Sequence, residues 1–199
     1  LQARKPRRFK ATTNSKHDDP IAPNLLMQDF AVDAPNTVWA SDITYVWTAE
    51  GWSYLAVVID LFARRVVGWA MADHMRTELP LLALTRAIEA RRPCAGLIHH
   101  SDRGSQYASA AYRSKLRDHE VAQSMSRAGD CYDNAAVESF FASLKRECIH
   151  RRHFATHTEA YDDVANYIDN FYNPRRRHST NNYLSPMHAE LQLAQAMAA

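Results

Sequence analysis

The sequence predicts an α/β fold in which a mixed sheet of five strands is flanked by helices. Three observations point to this fold class. Segments rich in β-forming residues follow one another closely at positions 37–47, 52–62 and 65–72. Short strand-like segments then alternate with helical ones, which is typical of strands that join a sheet through crossovers. A long amphipathic helix closes the series and gives the order βββαβαβα.

The first three strands are expected to form an antiparallel meander. Glu50-Gly51 predicts a tight turn between the first two strands, and Ala63-Arg64 predicts the turn before the third. Thr77 is a suitable N-cap for the first helix, because its hydroxyl can accept a backbone hydrogen bond. The amphipathic pattern that follows ends near Pro93, which cannot continue a helix.

Short strands and helices alternate along the middle of the chain. Strands are predicted at residues 96–101 and 121–126, with a helix at 109–120 between them. Asp133 is expected to cap the long helix that follows. The apolar side of that helix repeats every three or four residues and consists of Val137, Phe141, Leu144 and Cys148.

The C-terminal part of the chain is predicted to be helical. The segment Thr156-His157-Thr158-Glu159 has the pattern of a capping box, and its helix is expected to run to about Asn173, since Pro174 stops it. These patterns divide the chain of 199 residues into three parts. The parts are a basic, proline-containing arm or linker at 1–35, a folded core at 36–150, and a helical extension with a basic tail at 151–199.

Basic residues are concentrated at the N terminus. Residues 1–16 contain six basic residues, with Arg7 and Arg8 among them, and no acidic residue. The remaining 183 residues contain 18 basic and 22 acidic residues, and the clearest basic cluster among them is Arg175-Arg176-Arg177. Such segments bind nucleic-acid phosphates with salt-dependent affinity. A solvated tail that aids solubility is the alternative interpretation.

Composition narrows the class of protein. With 46% hydrophobic residues and only 5 glycines, the chain is neither disordered nor fibrous. It contains no apolar run of membrane-spanning length and no secretory start. Its three cysteines fit neither a disulfide framework nor a zinc site, so a reducing cytoplasmic setting is expected. The first residue is Leu rather than Met, which suggests a fragment or a processed product.

Three carboxylates occupy unusual positions. Asp42 lies inside the first predicted strand, Asp102 ends the fourth, and Glu138 lies on the long helix. Acidic residues usually occupy exposed faces, so acids within or beside apolar elements need a reason. Three carboxylates suffice to hold Mg²⁺, and two cations about 3.5–4 Å apart stabilise the attacking and leaving oxygens of a phosphodiester. Taken singly, each acid also fits a turn, a loop cap or an exposed helix position.

The segments around these acids resemble the three signature blocks of DDE transposases. The closest group is the OrfB-type transposases of bacterial insertion sequences of the IS-three kind, whose catalytic core is similar to retroviral integrase. Residues 54–69, 172–179 and 183–186 resemble the same group, and the likeness extends over roughly residues 24–190. The signature blocks are Trp39-Ala40-Ser41-Asp42-Ile43-Thr44-Tyr45, His100-Ser101-Asp102-Arg103-Gly104-Ser105-Gln106-Tyr107 and Asp133-Asn134-Ala135-Ala136-Val137-Glu138-Ser139-Phe140-Phe141.

The resemblance implies a ribonuclease H-like fold and a catalytic core at residues 36–150. Asp42, Asp102 and Glu138 would be both the catalytic residues and the ligands of Mg²⁺ or Mn²⁺, with two ions when DNA is bound. The reaction would be DNA strand cleavage and strand transfer by direct transesterification. Its nucleophiles would be water and then a DNA 3′-OH, with no nucleophile from the protein.

The same resemblance implies the partners of the chain. These are the terminal repeats of an insertion sequence, its target DNA, and further copies of the chain in a synaptic complex. The expected location is the bacterial cytoplasm, in association with the nucleoid. Recognition of the terminal repeats is expected to depend largely on an upstream region that this chain lacks.

Several residues near the three acids are candidates for DNA contact. Lys145 shares a helix face with Glu138, two turns away, and the alternative is a solvated lysine. The other candidates for DNA contact, which also fit ordinary turn, helix or surface positions, are Arg103, Asn134, Arg175, Arg176, Arg177, Arg7 and Arg8.

Asp60 is a fourth acid, and it follows an apolar strand. A turn or a structural hydrogen bond is the favoured interpretation of Asp60 over metal binding.

Two other functions fit parts of the sequence. The first is a metal-dependent nuclease of the ribonuclease H type, which would use a fourth carboxylate and would leave the basic arm unexplained. The second is a non-catalytic DNA-binding remnant of a mobile element. An intact set of three acids argues against that remnant.

Overall fold

The structure is a computed structural model, and it describes residues 17–27, 32–127 and 134–198. At its centre is a five-stranded sheet of order β3-β2-β1-β4-β5. The first three strands are antiparallel, whereas the last two are added in parallel. The predicted mixed sheet is therefore confirmed. Its strands are β1 (Val38–Thr48), β2 (Gly51–Asp60), β3 (Arg65–Ala72), β4 (Ile98–Ser101) and β5 (Ala122–Met125).

Helices cover both faces of the sheet. A π-helical segment, Tyr167–Tyr172, continues the fifth helix toward Pro174. Short 3-10 turns lie at Ile149–Arg151 and Ser179–Asn181. None of the described helices is long and apolar enough to cross a membrane. The six α-helices are α1 (Glu78–Arg91), α2 (Ser105–Ala108), α3 (Ala110–Asp118), α4 (Ala135–Glu147), α5 (His157–Asn166) and α6 (Pro186–Ala198).

The predicted cap of α1 was wrong, and one short helix was not predicted. Thr77 precedes α1 in a helical conformation, and its side chain makes no capping bond. The helix expected at 109–120 is present as α3, whereas α2, the short helix before the extended Ser109, was not predicted. The Ser109 hydroxyl accepts a hydrogen bond from the Tyr112 amide, and so caps α3. Asp133, predicted to cap α4, lies outside the described residues, as do Arg7 and Arg8.

The capping box of α5 is present. The Thr156 hydroxyl accepts the Glu159 amide at 3.1 Å, and the Glu159 carboxylate accepts the Ala155 amide at 2.7 Å. The second bond reaches one residue further back than the usual capping box predicts. The predicted boundaries at residues 35 and 150 stay predictions.

The sheet separates two hydrophobic clusters. Phe140 and Leu144 of α4 pack with Val46 on one face, together with residues of α5 and the π-helical segment. On the other face, α1 and α3 pack against Trp39 and Ile43. Even-numbered residues of β1 therefore face α4 and odd-numbered ones face α1, as alternation in a strand requires. Asp42 consequently lies on the α4 face.

We expect Gly68→Ala to lower the free energy of unfolding by about 1–3 kcal/mol, because β3 and α1 leave no room for a methyl group. A Cβ at Gly68 would lie 2.3 Å from the Ala83 carbonyl oxygen and 2.7 Å from the Ala87 Cβ. Gly96→Ala is the control, since a Cβ there meets nothing within 4 Å and pays only for its φ of +95°. A loss below about 0.5 kcal/mol for Gly68→Ala in urea unfolding would show that packing against α1 is not limiting.

Candidate active site

Two neighbouring strands bring Asp42 and Asp102 together. The parallel pairing of β1 with β4 sets Ser41 opposite Ser101, the last residue of β4. Asp42, inside β1, and Asp102, directly after β4, are the next residues along the chain, and adjacent strands lie about 4.8 Å apart. The predicted convergence of these two acids follows from that register.

A network of hydrogen bonds fixes the backbone around Asp42. The Ser41 hydroxyl and the His99 Nε2 atom are 2.9 Å apart, and the Tyr112 hydroxyl lies 3.1 Å from the same nitrogen. The side chain of Asn134, immediately before α4, donates to the Ser41 carbonyl oxygen at 3.2 Å. The start of α4 is therefore tied to the strand that carries Asp42.

Both acids also accept backbone hydrogen bonds. The Ile43 amide donates to the Asp42 carboxylate at 2.7 Å, and the Gly104 amide donates to the Asp102 carboxylate at 2.9 Å. These bonds restrict the rotation of the two carboxylates. Such restriction is useful at a site whose groups must hold a defined geometry.

Burial and repulsion among these acids disfavour the charge of Asp42. Burial raises the pKa of Asp42 to about 8, and the neighbouring charges of Asp102 and Glu138 raise it as well. The Ile43 amide and the Lys145 ammonium act in the opposite direction but do not offset this. A divalent cation among these carboxylates would favour their ionised forms, so the electrostatics fit a metal site.

Glu138 is the third acid of the candidate site, and its side chain is more exposed than that of Asp42. It lies exposed in the first turn of α4, and partial burial raises its pKa. Within residues 17–27, 32–127 and 134–198, no three His, Cys, Asp or Glu side chains are close enough to form a metal-binding group by themselves. A cation here would need oxygen ligands from water or a substrate phosphate, which is the usual situation for Mg²⁺.

Lys145 lies beside the acids on α4. Its ammonium is 4.7 Å from the centre of the Tyr45 ring, and its charge is felt by Asp42. Burial lowers the pKa of Lys145, whereas Asp42 raises it. A partly desolvated ammonium in this position can hold a phosphate next to the carboxylates.

The other predicted DNA contacts are dispersed. The Arg103 side chain donates to the Ser126 carbonyl oxygen at 2.6 Å. Arg176 is paired with Glu147, at 2.8 and 2.9 Å. Arg175 and Arg177 are exposed, and neither has an acidic partner in the described part of the chain. All of these DNA contacts stay predictions, including that of Asn134.

Asp60 is placed away from the other acids. It faces Trp39 in the β1–β2 register, whereas Asp42 faces Val57, so about 10 Å of strand separates them. Its fully buried carboxylate accepts the Asn36 and Phe62 amides at 2.7 and 3.1 Å. These bonds support the structural interpretation of Asp60, and Arg91 adds an ion pair at 3.5 Å.

Tyr107 is the residue near this site that the sequence did not single out. It is fully buried, and its hydroxyl has no hydrogen-bond partner among the described residues. Burial raises its pKa far above the ordinary value, and the charges of Asp42 and Asp102 add to the effect. The sequence feature that could have identified Tyr107 is its position five residues after Asp102, in a block whose other members are mostly polar.

The mixed five-stranded sheet, with Asp42 inside β1 beside Asp102 after β4, has the fold of a retroviral integrase core. The structure is similar to a chain of the simian T-cell lymphotropic virus intasome, solved in complex with PP2A regulatory subunit B56 gamma. That match has a TM-score of 0.66 and 15% identity, and covers 89% of this chain and 60% of the other. The HTLV-2 integrase catalytic core domain in complex with magnesium, in its trimeric form, gives a TM-score of 0.58 and 14% identity over 79% of this chain and 97% of the other.

Sequence comparison gives the family. Two models described as "Integrase core domain" match residues 32–131 and 119–186. Transposase InsF of insertion sequence IS3A from Escherichia coli K12 is 49% identical over 94% of this chain and 65% of its own length. An uncharacterized 31 kDa protein of insertion element IS600 from Shigella sonnei is 49% identical over 94% of this chain and 68% of its own length.

The chain therefore belongs to the integrase core domain family, among the DDE transposases of the IS3 group. It spans about two thirds of the length of these relatives. The fold expected from the resemblance and the family itself are both confirmed.

In the absence of metal, we expect Asp42→Asn to stabilise the chain at high pH, because it removes a charge that the fold disfavours. The folded-state pKa of about 8 exceeds the ordinary 3.8. The folded chain thus keeps a proton that the unfolded chain has lost, and wild-type stability falls as pH rises between these values. The gain at pH 8 should be about 0.5–2 kcal/mol in urea unfolding with EDTA present.

Asp118→Asn is the matched control for this prediction, since Asp118 is an exposed acid on α3, far from the sheet ends. It should leave the pH profile of stability unchanged. Saturating Mg²⁺ should stabilise the wild-type chain more than Asp42→Asn. If wild type and Asp42→Asn lost stability equally between pH 4 and pH 8, the assigned origin of the shift would be wrong.

Proposed function

We propose that this chain cleaves DNA strands and transfers them by direct transesterification during transposition of an insertion sequence. The observation that carries this proposal is the juxtaposition of Asp42, inside β1, and Asp102, directly after β4, with the charge of Glu138 acting on Asp42. Family membership supports the same reaction class.

In this proposal Asp42, Asp102 and Glu138 hold Mg²⁺ or Mn²⁺, with two ions once DNA is bound. When present, such ions stabilise charge on the attacking and leaving oxygens and make water more acidic. The raised pKa of Asp42 supports a cation here. The related fold of the magnesium complex of HTLV-2 integrase is consistent with this choice of metal.

The chain's own residues have positioning roles in the proposed reaction. The hydrogen bond between Asn134 and Ser41 holds the start of α4 against β1, so that Glu138 stays on the side of the sheet that Asp42 faces. Lys145 would hold a phosphate of the substrate beside Asp42. The attacking oxygen comes from water for cleavage and from a DNA 3′-OH for joining. No side chain of the protein forms a covalent bond to DNA.

The proposed partners are DNA and further copies of the chain. Joining two DNA segments requires that two element ends and a target be held together, and a synaptic oligomer would do this. The basic arm containing Arg7 and Arg8 would bind DNA phosphates, with an affinity that falls as salt rises. We place this activity in the bacterial cytoplasm, on nucleoid DNA.

We expect Asp42→Asn, Asp102→Asn and Glu138→Gln each to lower the rate of DNA cleavage and joining by about a thousandfold or more. Each removes a ligand charge from ions that stabilise the transition state by several kcal/mol. The measurement uses labelled duplexes ending in the element's terminal repeat, with Mg²⁺ or Mn²⁺ and with an EDTA control.

Asp118→Asn, a surface acid on α3, should retain full activity in the same assay. Cleavage without joining, or faster cleavage of an RNA–DNA hybrid, would favour the nuclease of the ribonuclease H type. Normal DNA binding with no cleavage by the wild type would favour a non-catalytic remnant. If all three variants joined DNA at the wild-type rate, the catalytic assignment would fail.

We expect Lys145→Gln to lower kcat/KM for DNA about tenfold, because a charge-assisted hydrogen bond to phosphate is lost. Lys145→Arg should restore most of the rate, since it keeps the charge. Lys115→Gln on α3 is the control and removes a lysine from the other side of the sheet. An unchanged kcat/KM for Lys145→Gln would assign Lys145 to packing against Tyr45 alone.

A further inference from the structure

A basic cavity lies beside α4, on the side that faces the C-terminal extension. It has a volume of about 560 Å³ and is bordered by α4, the turn between β2 and β3, and the segment 172–183. No acidic residue lines it among the described residues, whereas four arginines do. Hydroxyl groups of Ser139, Ser143, Ser179 and Thr180 complete a wall suited to an oxyanion. The arginines are Arg64, Arg146, Arg176 and Arg177.

We propose that this cavity, here called the arginine cavity, binds a backbone phosphate of the same DNA whose scissile phosphate lies at Asp42 and Asp102. This inference rests on the proposed function and adds a second anchoring point for the substrate. It assigns the contact to Arg64 and Arg177.

Arg176 forms the fixed inner wall of the arginine cavity. It binds both carboxylate oxygens of Glu147, at 2.8 and 2.9 Å, and donates to the Ser143 hydroxyl at 3.0 Å. The Glu147 charge therefore neutralises Arg176. Arg64 and Arg177 have no acidic partner in the described part of the chain, and burial lowers the pKa of Arg64. Their charge is available to a phosphate.

The backbone at Arg64 supports a role for its side chain. Its φ of +60° lies in the left-handed region, which glycine and asparagine adopt at lower cost. Its side chain, unlike those of Arg92 and Glu120 at similar φ, lines the cavity. The turn directs Arg64 into the cavity, where it meets residues more than 70 positions later in the chain.

His178 offers an unused polar atom at the same place. Its Nε2 atom is buried and lacks a partner among the described residues. Its ring stands edge-on to Tyr172, with the ring centres 5.0 Å apart. Burial and the charges of Arg176 and Arg64 lower the pKa of His178 to about 4. The neutral ring can donate one hydrogen bond from Nε2 to a phosphate oxygen.

The position on α4 favours DNA over a free anion. Glu138 and Lys145 lie on one side of α4, whereas Ser139 and Arg146 line the arginine cavity on the adjacent side. Successive helix residues differ by about 100°, so the two sides adjoin. A DNA strand crossing α4 would meet both sides, whereas a free phosphate or nucleotide would occupy only one.

The test measures binding of a labelled terminal-repeat duplex by fluorescence anisotropy, over a series of salt concentrations in EDTA. Arg64→Gly and Arg177→Gln should each weaken binding about tenfold. Each should also reduce the slope of log affinity against log salt by about 1. Arg64→Gly should melt at or above the wild-type temperature, because glycine relieves the positive φ. Arg117→Gln, an exposed arginine on α3, is the control and should change affinity less than twofold.

Wild-type affinity and salt slope in both variants would overturn the proposal. So would loss of binding to inorganic phosphate or a mononucleotide without loss of binding to DNA, because the cavity would then serve a free anion. The result is separable from the proposed function, since binding is measured without metal. If the wild type bound DNA through Arg64 and Arg177 but never cleaved it, only the proposed reaction would fail.

Discussion

The parallel pairing of β1 with β4 is the constraint on which the site depends. Four residue pairs fix it, from Val38 with Ile98 to Ser41 with Ser101. A shift of one residue would turn one acid to the opposite face of the sheet, because side chains alternate along a strand. Such a shift would disrupt the packing of α4 and α5 on one face of the sheet and of α1 and α3 on the other. The core therefore specifies the chemistry indirectly, by specifying the register.

The charge of Asp42 is unfavourable at the site, and ion pairs elsewhere in the chain stabilise the fold. Burial and the neighbouring charge of Asp102 raise the pKa of Asp42, which is unfavourable for the metal-free chain. Ion pairs away from the site contribute favourably to the stability of the folded chain. Glu147, at the end of α4, is held by Arg176, which lowers the pKa of Glu147 to about 2. Glu190 of α6 pairs with Arg91 at 2.9 Å and so ties the C-terminal helix to the core. The extension thus braces the helix that carries Glu138.

Local pattern predicted the parts of the fold that depend on local physics. Strand segments, the turn at Ala63-Arg64 and the cap at Thr156 all follow from residues a few positions apart. The convergence of Asp42 and Asp102 needed strand order, which the family resemblance supplied. The short helix α2 was missed because four residues are too few to show a helical pattern in the sequence. The arginine cavity was not predictable either, since Arg64 and Arg177 are brought together by tertiary packing across more than a hundred residues.

Helix α4 links the candidate active site to the arginine cavity, because it contributes residues to both. Its buried residues, Phe140 and Leu144, fix its rotation over the sheet. That single rotation decides where both of its polar sides point. With the start of α4 anchored to the Ser41 carbonyl and its end anchored through Glu147, neither side can move without the other. A substrate that contacts both sides would therefore be positioned by the same packing that orients Glu138, so binding and chemistry would share one set of core contacts.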